Sequence, residues 1–288
     1  MTWLILISVI ILWASSFIGI KLGLNSFSPE ALALFRYLTA SIFIFLIYLV
    51  TSAKKKPNLK QFVLLLGCGI TGVTIYNLAL NYAELSVSPA IASFVIGMMP
   101  VCSLIISVFA FKDKVKKRAW SCVAISVCGL FVILLADLYH SQNLHASLLG
   151  FLSLVIAVVG MAIYTNIQRV LLKEGFKPLE MTAWSIWLGT FCLLFFLPET
   201  IVQMAHASME DILAVVYLGI FPAAIAYVGW GYAISKLPFA KVVTALYFSP
   251  VFVILMQWSI LGEFPFWLTI VGGGISVFGA LLLARQKM

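Results

Sequence analysis

The sequence predicts an all-α membrane protein of ten transmembrane helices, arranged as two inverted five-helix repeats. Hydrophobic residues make up 63% of the 288 residues and charged residues only 10%, and the mean hydropathy is +1.12. So little polar material cannot cover the surface of a soluble domain of this size. The chain also repeats itself at a constant offset, and its basic residues fall in alternate loops. These three observations carry the prediction.

The apolar spans are counted against the thickness of a bilayer. A hydrocarbon core of roughly 30 Å takes about 20 apolar residues per helix. The first apolar run is full length and has no basic residues before it, so we expect a retained helix rather than a signal peptide. Spans 1 to 10 are predicted at 2–22, 29–50, 61–83, 88–111, 119–138, 147–172, 178–199, 212–234, 239–261 and 265–284, with loops at 139–146 and 200–211.

An internal duplication is visible at an offset of 150 residues, which places Pro100 on Pro250 and Gly129 on Gly279. The register does not drift along either half, which predicts repeats at 1–140 and 147–288. Each repeat has five spans, an odd number, so the second repeat enters the membrane upside down. Inverted repeats of this kind are typical of alternating-access transporters.

Basic residues mark one side of the membrane. They cluster at 54–60, 112–118, 169–177, 236–241 and 285–287. The loops on the other side carry the acidic residues Glu30, Glu84, Asp137, Glu199, Glu210, Asp211 and Glu263. The positive-inside rule therefore predicts that both termini are cytoplasmic. The same pattern accounts for the net charge of +8 through contacts with membrane lipid, and it argues against nucleic acid as a partner.

Two helices are expected to be broken at matched positions. Pro100 interrupts span 4 and Pro250 interrupts span 9, because proline removes a backbone hydrogen bond. Span 8 contains Pro222, and its repeat partner Gly72 also weakens a helix. Spans 5 and 10 are rich in small residues and free of polar groups at mid-membrane, so we expect them at the periphery or on the face of a homodimer.

Several of these motifs resemble a known family. Trp13-x-x-x-Phe17, Arg36 and the blocks Pro100 to Asp113 and Pro250 to Glu263, each followed by a helix with Gly129 or Gly279, are similar to the EamA-type repeat of the drug/metabolite transporter superfamily. The resemblance covers the whole chain and departs from the family pattern at Lys112-Asp113, where Gly-Glu is usual. It implies a bacterial inner-membrane exporter of amino acids or related metabolites, with spans 1–4 and 6–9 around a central cavity and spans 5 and 10 outside it.

Candidate solute-binding residues lie near the span midpoints, where the repeats should meet. Interfacial belts hold Trp and Tyr at helix ends, so central ones need another reason: either core filling or a cavity wall. Asn77 could contact a solute or only bond a neighbouring helix, and as the repeat partner of Tyr227 it should face that residue. The predicted site comprises Trp13, Ser16, Tyr76, Asn77, Tyr164, Tyr227, Trp230 and Tyr247.

Arg36 lies inside span 2, and an intramembrane charge is a functional hypothesis by default. The alternative is that it snorkels outward to Glu30 or Glu84 and fixes an outer gate. We group Arg36 with Pro100, Pro222 and Pro250 as candidate gating or hinge residues. No Asp, Glu or His lies near a span midpoint. This argues against a proton relay and a buried countercharge, and it favours a neutral, zwitterionic or aromatic solute.

The sequence therefore predicts a secondary transporter that exports amino acids or related small amphipathic metabolites by alternating access. Export of drugs or other metabolites by the same fold is an alternative. An integral-membrane enzyme acting on lipid is a third possibility, but the three histidines are scattered in two loops. The five cysteines form no C-x-x-C pair and are expected to pack as small apolar residues, so no metal or cofactor is predicted.

Overall fold

The computed structural model describes residues 1–50, 55–111, 117–140 and 143–285, and no strand occurs among them. Helices account for nearly all of these residues. We number the helical runs α1 Thr2–Gly23, α2 Pro29–Leu49, α3 Leu59–Glu84, α4 89–111, α5 Lys117–His140, α6 Leu144–Lys173, α7 Pro178–His206, α8 Met209–Lys236, α9 239–261 and α10 Trp267–Arg285.

Length and apolar composition make this a membrane protein. Within the described part of the chain, nine helices are long and apolar enough to cross a bilayer, and the apolar stretch Trp267–Leu283 of α10 is shorter. Serine caps fix where two of the helices begin: the hydroxyls of Ser28 and Ser88 accept hydrogen bonds from Ala31 N and Ile91 N. A proline follows each cap at the first helical position, where its missing N–H costs nothing.

The predicted loop at 200–211 is wrong. Helix α7 continues through a 3₁₀ turn at Leu194–Phe196 into Leu197–His206, so only 207–208 separate it from α8. Pro198 lies in the first turn of that continuation, a position that tolerates proline. The loop predicted at 139–146 is also shorter, because α5 reaches His140 and α6 begins at Leu144.

Some of the charged residues that were compared in the sequence lie outside the part of the chain that the structure describes. The Lys112-Asp113 pair of the repeat comparison and the basic residues Lys54, Lys114, Lys116 and Lys287 lie outside the described residues.

Hydrogen bonds near the helix ends define two ends of the helix bundle. At the Lys55 end, Lys55 N donates to Glu180 Oε1 at 3.0 Å and Gln61 Nε2 donates to Glu174 Oε2 at 3.0 Å. At the Glu84 end, Ser28 N donates to Gln203 Oε1 at 2.8 Å, and Lys21 Nζ donates to the Glu84 carbonyl at 3.1 Å. Each end therefore joins segments that are distant in sequence.

The predicted interruptions of α4 and α9 are confirmed. Helix α4 consists of Pro89–Ile96 and Met99–Phe111, with a turn between them. Helix α9 passes from Phe239–Thr244 through a 3₁₀ turn into Ser249–Met256 and a π-helical end. Pro100 and Pro250 each lie in the first turn of the piece that follows the break.

Matched π-helical segments interrupt α3 and α8. They span Gly69–Ile75 and Gly219–Ile225, seven residues each, at the same offset as the sequence repeat. Gly72 and Pro222 lie inside them, at the positions where the sequence predicted weakened helices. Such π segments are rare and frequently occur at functional sites.

Helices α5 and α10 pack on one another through their small residues. A Cβ atom on Gly129 would lie 2.3 Å from Ser276 N, and one on Gly279 would lie 2.6 Å from Ser126 N. The Ser126 hydroxyl also donates to the Ser276 carbonyl at 3.1 Å. The small-residue stripe is therefore used within the chain, and a homodimer would have to use the outer face, where Phe131 and Phe278 are exposed.

Candidate functional site

Four of the predicted site residues form one aromatic cluster in the interior. The Trp13 ring lies 5.7 Å from the Tyr227 ring and 5.0 Å from the Trp230 ring, and the Tyr164 and Tyr227 rings are 5.6 Å apart. These separations are those of favourable tilted and edge-to-face aromatic pairs. Trp13 is half-buried, and the other three side chains are fully buried.

Side chains of this cluster bond to the two π segments across the halves. The Tyr227 hydroxyl donates to the Gly72 carbonyl at 3.0 Å, and Trp13 Nε1 donates to the Pro222 carbonyl at 3.1 Å. Side chains that insert into the backbone ladder in this way stabilise local distortions of a helix. Each half thus binds the distorted helix of the other.

Tyr37 joins Asn77 to Tyr227. Asn77 Nδ2 donates to the Tyr37 hydroxyl at 2.8 Å, and that hydroxyl donates to the Tyr227 hydroxyl at 3.3 Å. Asn77 Nδ2 also lies 2.8 Å from the Val73 carbonyl. The expected repeat partners Asn77 and Tyr227 are therefore connected by hydrogen bonds through Tyr37, which the sequence analysis did not predict as a site residue. The available signal was its position next to Arg36 in the interior of span 2.

Three half-buried side chains lie where the two largest core clusters meet. One cluster includes Phe17 and the other includes Trp230, and Tyr76, Cys102 and Phe252 pack against both. Cys102 and Phe252 were not predicted, although each lies two residues after a repeat-matched proline and the two are themselves repeat partners.

Two further residues that were predicted for the site make other contacts. The Ser16 hydroxyl donates to the carbonyl of Trp13 in the same helix at 2.6 Å, so it is already bonded. Tyr247 is buried in a separate core cluster with Met98 and Val101, and its hydroxyl has no hydrogen-bond partner among the described residues. The structure therefore does not place Tyr247 in the aromatic cluster.

Arg36 does not reach the surface. Its side chain is 2% exposed, and Glu30 accepts a hydrogen bond from the Tyr82 hydroxyl instead. Glu84, which the sequence analysis assigned to a loop, is the last residue of α3 and is 0% exposed. A buried carboxylate is therefore present near Arg36, contrary to the expectation that no buried countercharge exists. Glu84 is buried by neighbouring helices, and its position in the sequence does not predict that packing.

A cavity of about 410 Å³ opens elsewhere, between the ends of α4, α5, α9 and α10, with Gln257, Glu263 and Thr269 in its wall. None of the predicted site residues lines it. Within the ranges that the structure describes, no group of three or more His, Cys, Asp or Glu side chains could hold a metal ion.

Comparisons with known proteins agree with this architecture. The model of the EamA-like transporter family matches residues 1–135 and 148–285. YdfC, an uncharacterized transporter of Bacillus subtilis, is 33% identical over 269 residues, covering 93% of this chain and 86% of YdfC. The probable terminal-alkyne amino-acid exporter of Streptantibioticus cattleyicolor is 29% identical over 283 residues, covering 98% of this chain and 93% of that protein.

A solved crystal structure also superposes on nearly the whole chain. Its TM-score is 0.66 at 19% sequence identity, covering 99% of this chain and 97% of the other; a likeness at this identity shows the fold alone. The family model accounts for both halves, which confirms the resemblance seen in the sequence motifs. The chain therefore belongs to the EamA-like transporter family and is a membrane transporter.

Proposed function

We propose that this protein is a secondary transporter that exports amino acids or related small amphipathic metabolites by alternating access. Its ten helices would form two inverted repeats, 1–140 and 147–288, and the solute would bind between them. The observation that carries the proposal is the reciprocal pair of bonds at Gly72 and Pro222, because it joins the halves at a distorted, interior position.

Reciprocal contacts elsewhere support the inverted repeat. A Cβ on Gly69 would lie 2.7 Å from Gly189 N, and a Cβ on Gly219 would lie 2.6 Å from the Thr39 Cβ. At the offset of the duplication, Gly69 corresponds to Gly219 and Thr39 to Gly189. A contact between two halves that recurs with the partners exchanged is what an axis in the membrane plane would produce.

The solute class is supported by the cluster and by one relative. Aromatic walls with few polar atoms favour a molecule that has an apolar body and a small polar part. One of the relatives is named as a probable exporter of a terminal-alkyne amino acid, which has this character. The relatives YdfC and the exporter of Streptantibioticus cattleyicolor are both named as transporters rather than as enzymes.

The proposed location is the inner membrane of a bacterium, with both termini in the cytoplasm. The alternation of basic loops supports the orientation, and a 26%-identical relative, YedA of Escherichia coli, is named as an inner membrane transporter. In this orientation the Lys55 end faces the cytoplasm and the Glu84 end faces outward. A homodimer, if one forms, would use the exposed outer face of α5 and α10.

Counterflow in proteoliposomes tests the proposal. Vesicles preloaded with each unlabelled amino acid should accumulate the corresponding labelled compound transiently, and a parallel set of drugs should not. Trp13→Ala and Tyr227→Ala should raise the KM or abolish flux, whereas Trp267→Ala, a 61% exposed control on α10, should do neither. Flux of drugs alone would reject amino-acid export, and equal sensitivity to Trp267→Ala would reject the interior site.

A further inference from the structure

Three charged residues act on one another toward the Glu84 end of the bundle. Lys21 comes from α1, Arg36 from α2 and Glu84 from α3. Arg36 is 2% exposed and Glu84 is 0% exposed, and Lys21 is half-buried. Charged side chains are almost never fully buried unless they are paired, so the pairing of these groups decides how they are to be interpreted.

Arg36 and Glu84 do not pair with each other. Among the described residues, the ion pair within 4.0 Å is Lys60 with Glu174, at the other end of the molecule. Nε and Nη1 of Arg36 and both carboxylate oxygens of Glu84 have no hydrogen-bond partner in that part of the chain. The charges of Lys21 and Arg36 nevertheless act on Glu84. Two buried ionisable side chains thus lie within electrostatic range of one another, each with unused hydrogen-bonding atoms.

The second half has apolar residues at the positions that correspond to these charges. At the repeat offset, Lys21, Arg36 and Glu84 correspond to Leu171, Ile186 and Ile234. All three apolar residues are buried in the core. Replacing a buried ionic group by apolar side chains is often neutral or stabilising. The charges therefore have a role in the first half that packing does not explain.

Lys21 has a separate task from the other two. Its ammonium donates to the backbone carbonyl of Glu84 at 3.1 Å, which fixes the end of α3. The fields of Arg36 and Glu84 also reach Tyr76, the half-buried residue at the meeting of the two core clusters. Arg36 and Glu84 thus act on a side chain that packs against both of the large core clusters.

We propose that Arg36 and Glu84, supported by Lys21, bind the head group of a zwitterionic solute, namely an α-amino acid. The planar guanidinium of Arg36 binds the carboxylate, a pairing for which its fork geometry is suited. Glu84 accepts hydrogen bonds from the ammonium group, and the solute side chain extends past Tyr76 toward Trp13. This inference rests on the proposed transport function and names the chemistry that selects the solute.

Ligand-induced thermal stabilisation of the purified full-length protein in detergent tests this inference without requiring flux, since a ligand that binds the native state raises its stability. The twenty protein amino acids are screened first. The best binder is then compared with its deaminated analogue, which keeps only the carboxylate, and its decarboxylated analogue, which keeps only the ammonium. We expect each single-charge analogue to bind about tenfold or more weakly, the usual scale for one lost charged hydrogen bond.

The decisive variant copies the second half: Lys21→Leu, Arg36→Ile and Glu84→Ile together. It should remain folded with an unchanged or higher melting temperature and should bind neither the amino acid nor its analogues. Glu84→Gln alone should reduce binding of the amino acid while leaving binding of the deaminated analogue within about twofold of wild type. These two results separate head-group recognition from a structural role.

Several outcomes would overturn the inference. One is a wild-type protein stabilised by no amino acid, and another is a protein stabilised equally by the amino acid and its deaminated analogue. The latter would indicate a site for a simple carboxylate beside a neutral Glu84. If the triple variant still binds the amino acid, the head group binds elsewhere. If the triple variant and Glu84→Gln both fail to fold, the charged residues have a structural role. Zwitterion-specific binding without counterflow would reject the transport proposal but leave this site standing.

Discussion

Gly72 and Pro222 occupy equivalent positions in the two halves, and each accepts at its carbonyl oxygen a hydrogen bond from an aromatic side chain of the opposite half. The donors differ, one being a phenol and the other an indole, but the acceptors match. Both lie inside seven-residue π segments. The distortion of α3 and α8 is thereby tied to the packing of the interior rings, so a change in either should be felt by the other.

We expect loss of either donor to slow transport. Tyr227→Phe keeps the ring and Trp13→Phe replaces the indole with a smaller aromatic ring. Both remove the hydrogen bonds to the π segments, each worth about 1 kcal/mol net. Transport should fall by about fivefold, because the ring is no longer held against the π segment. The measurement is initial flux in proteoliposomes, with exposed Tyr139→Phe and Trp267→Phe as matched controls. Unchanged flux in both interior variants would remove these bonds from the mechanism.

The helix breaks and the π segments differ in how well the sequence predicts them. The breaks at Pro100 and Pro250 were predictable, because proline acts on its own turn regardless of what surrounds it. The π conformation at Gly69–Ile75 was not, because an ordinary glycine-containing helix has the same sequence pattern. Its wide turn is stabilised by tertiary contacts, including the hydrogen bond from Tyr227, that no local pattern records.

Only part of the interior aromatic cluster was predictable, because the depth of a residue along a span and the rotation of its helix are separate properties. Depth along a span identifies residues such as Trp13 and Tyr227, since depth depends only on counting. Whether a residue turns toward the opposite half depends on helix rotation, which placed Tyr247 in another core cluster. Glu84 was assigned to a loop because charged residues usually mark span ends, and the packing that buries it involves helices distant in sequence.

Removal of the helix breaks should affect rate more than folding. Pro100→Ala and Pro250→Ala allow continuous backbone bonding in α4 and α9, which stiffens helices that must bend between inward-facing and outward-facing states. Transport should fall severalfold while insertion and purification stay normal. Pro198→Ala in α7 is the control, because this proline also follows a helix break but is exposed, whereas Pro250 is buried. Wild-type flux in both interior variants would exclude a proline hinge.

The contact between α5 and α10 predicts a sharp difference between two glycines. Gly129→Ala places a Cβ 2.3 Å from Ser276 N, whereas a Cβ at Gly274 meets nothing within 4 Å. Overpacking of this kind costs about 1–3 kcal/mol of unfolding free energy. Thermal unfolding in detergent should show a clear decrease for Gly129→Ala and little change for Gly274→Ala. Equal melting temperatures would mean that the two helices do not touch as described.

Single cysteines test the orientation on a background without the five native cysteines. Both chosen positions, Glu210 and Lys56, are exposed. If both termini are cytoplasmic, Glu210→Cys should react with a membrane-impermeant maleimide in intact cells, and Lys56→Cys should react only after the cells are permeabilised. The opposite pattern would reverse the orientation, and labelling of both in intact cells would contradict the alternation of spans.

The contact between α5 and α10 at Gly129 and Ser276 also affects how the protein folds during its synthesis. Helix α10 follows α5 on the ribosome only after α6 to α9 have been synthesised, so the Ser126 and Gly129 face of α5 lacks its partner during that interval. The first half therefore cannot complete its own folding while the second is being translated. The two halves of this transporter should therefore assemble late in biogenesis. A membrane chaperone or insertase that shields α5 would act before α10 is inserted.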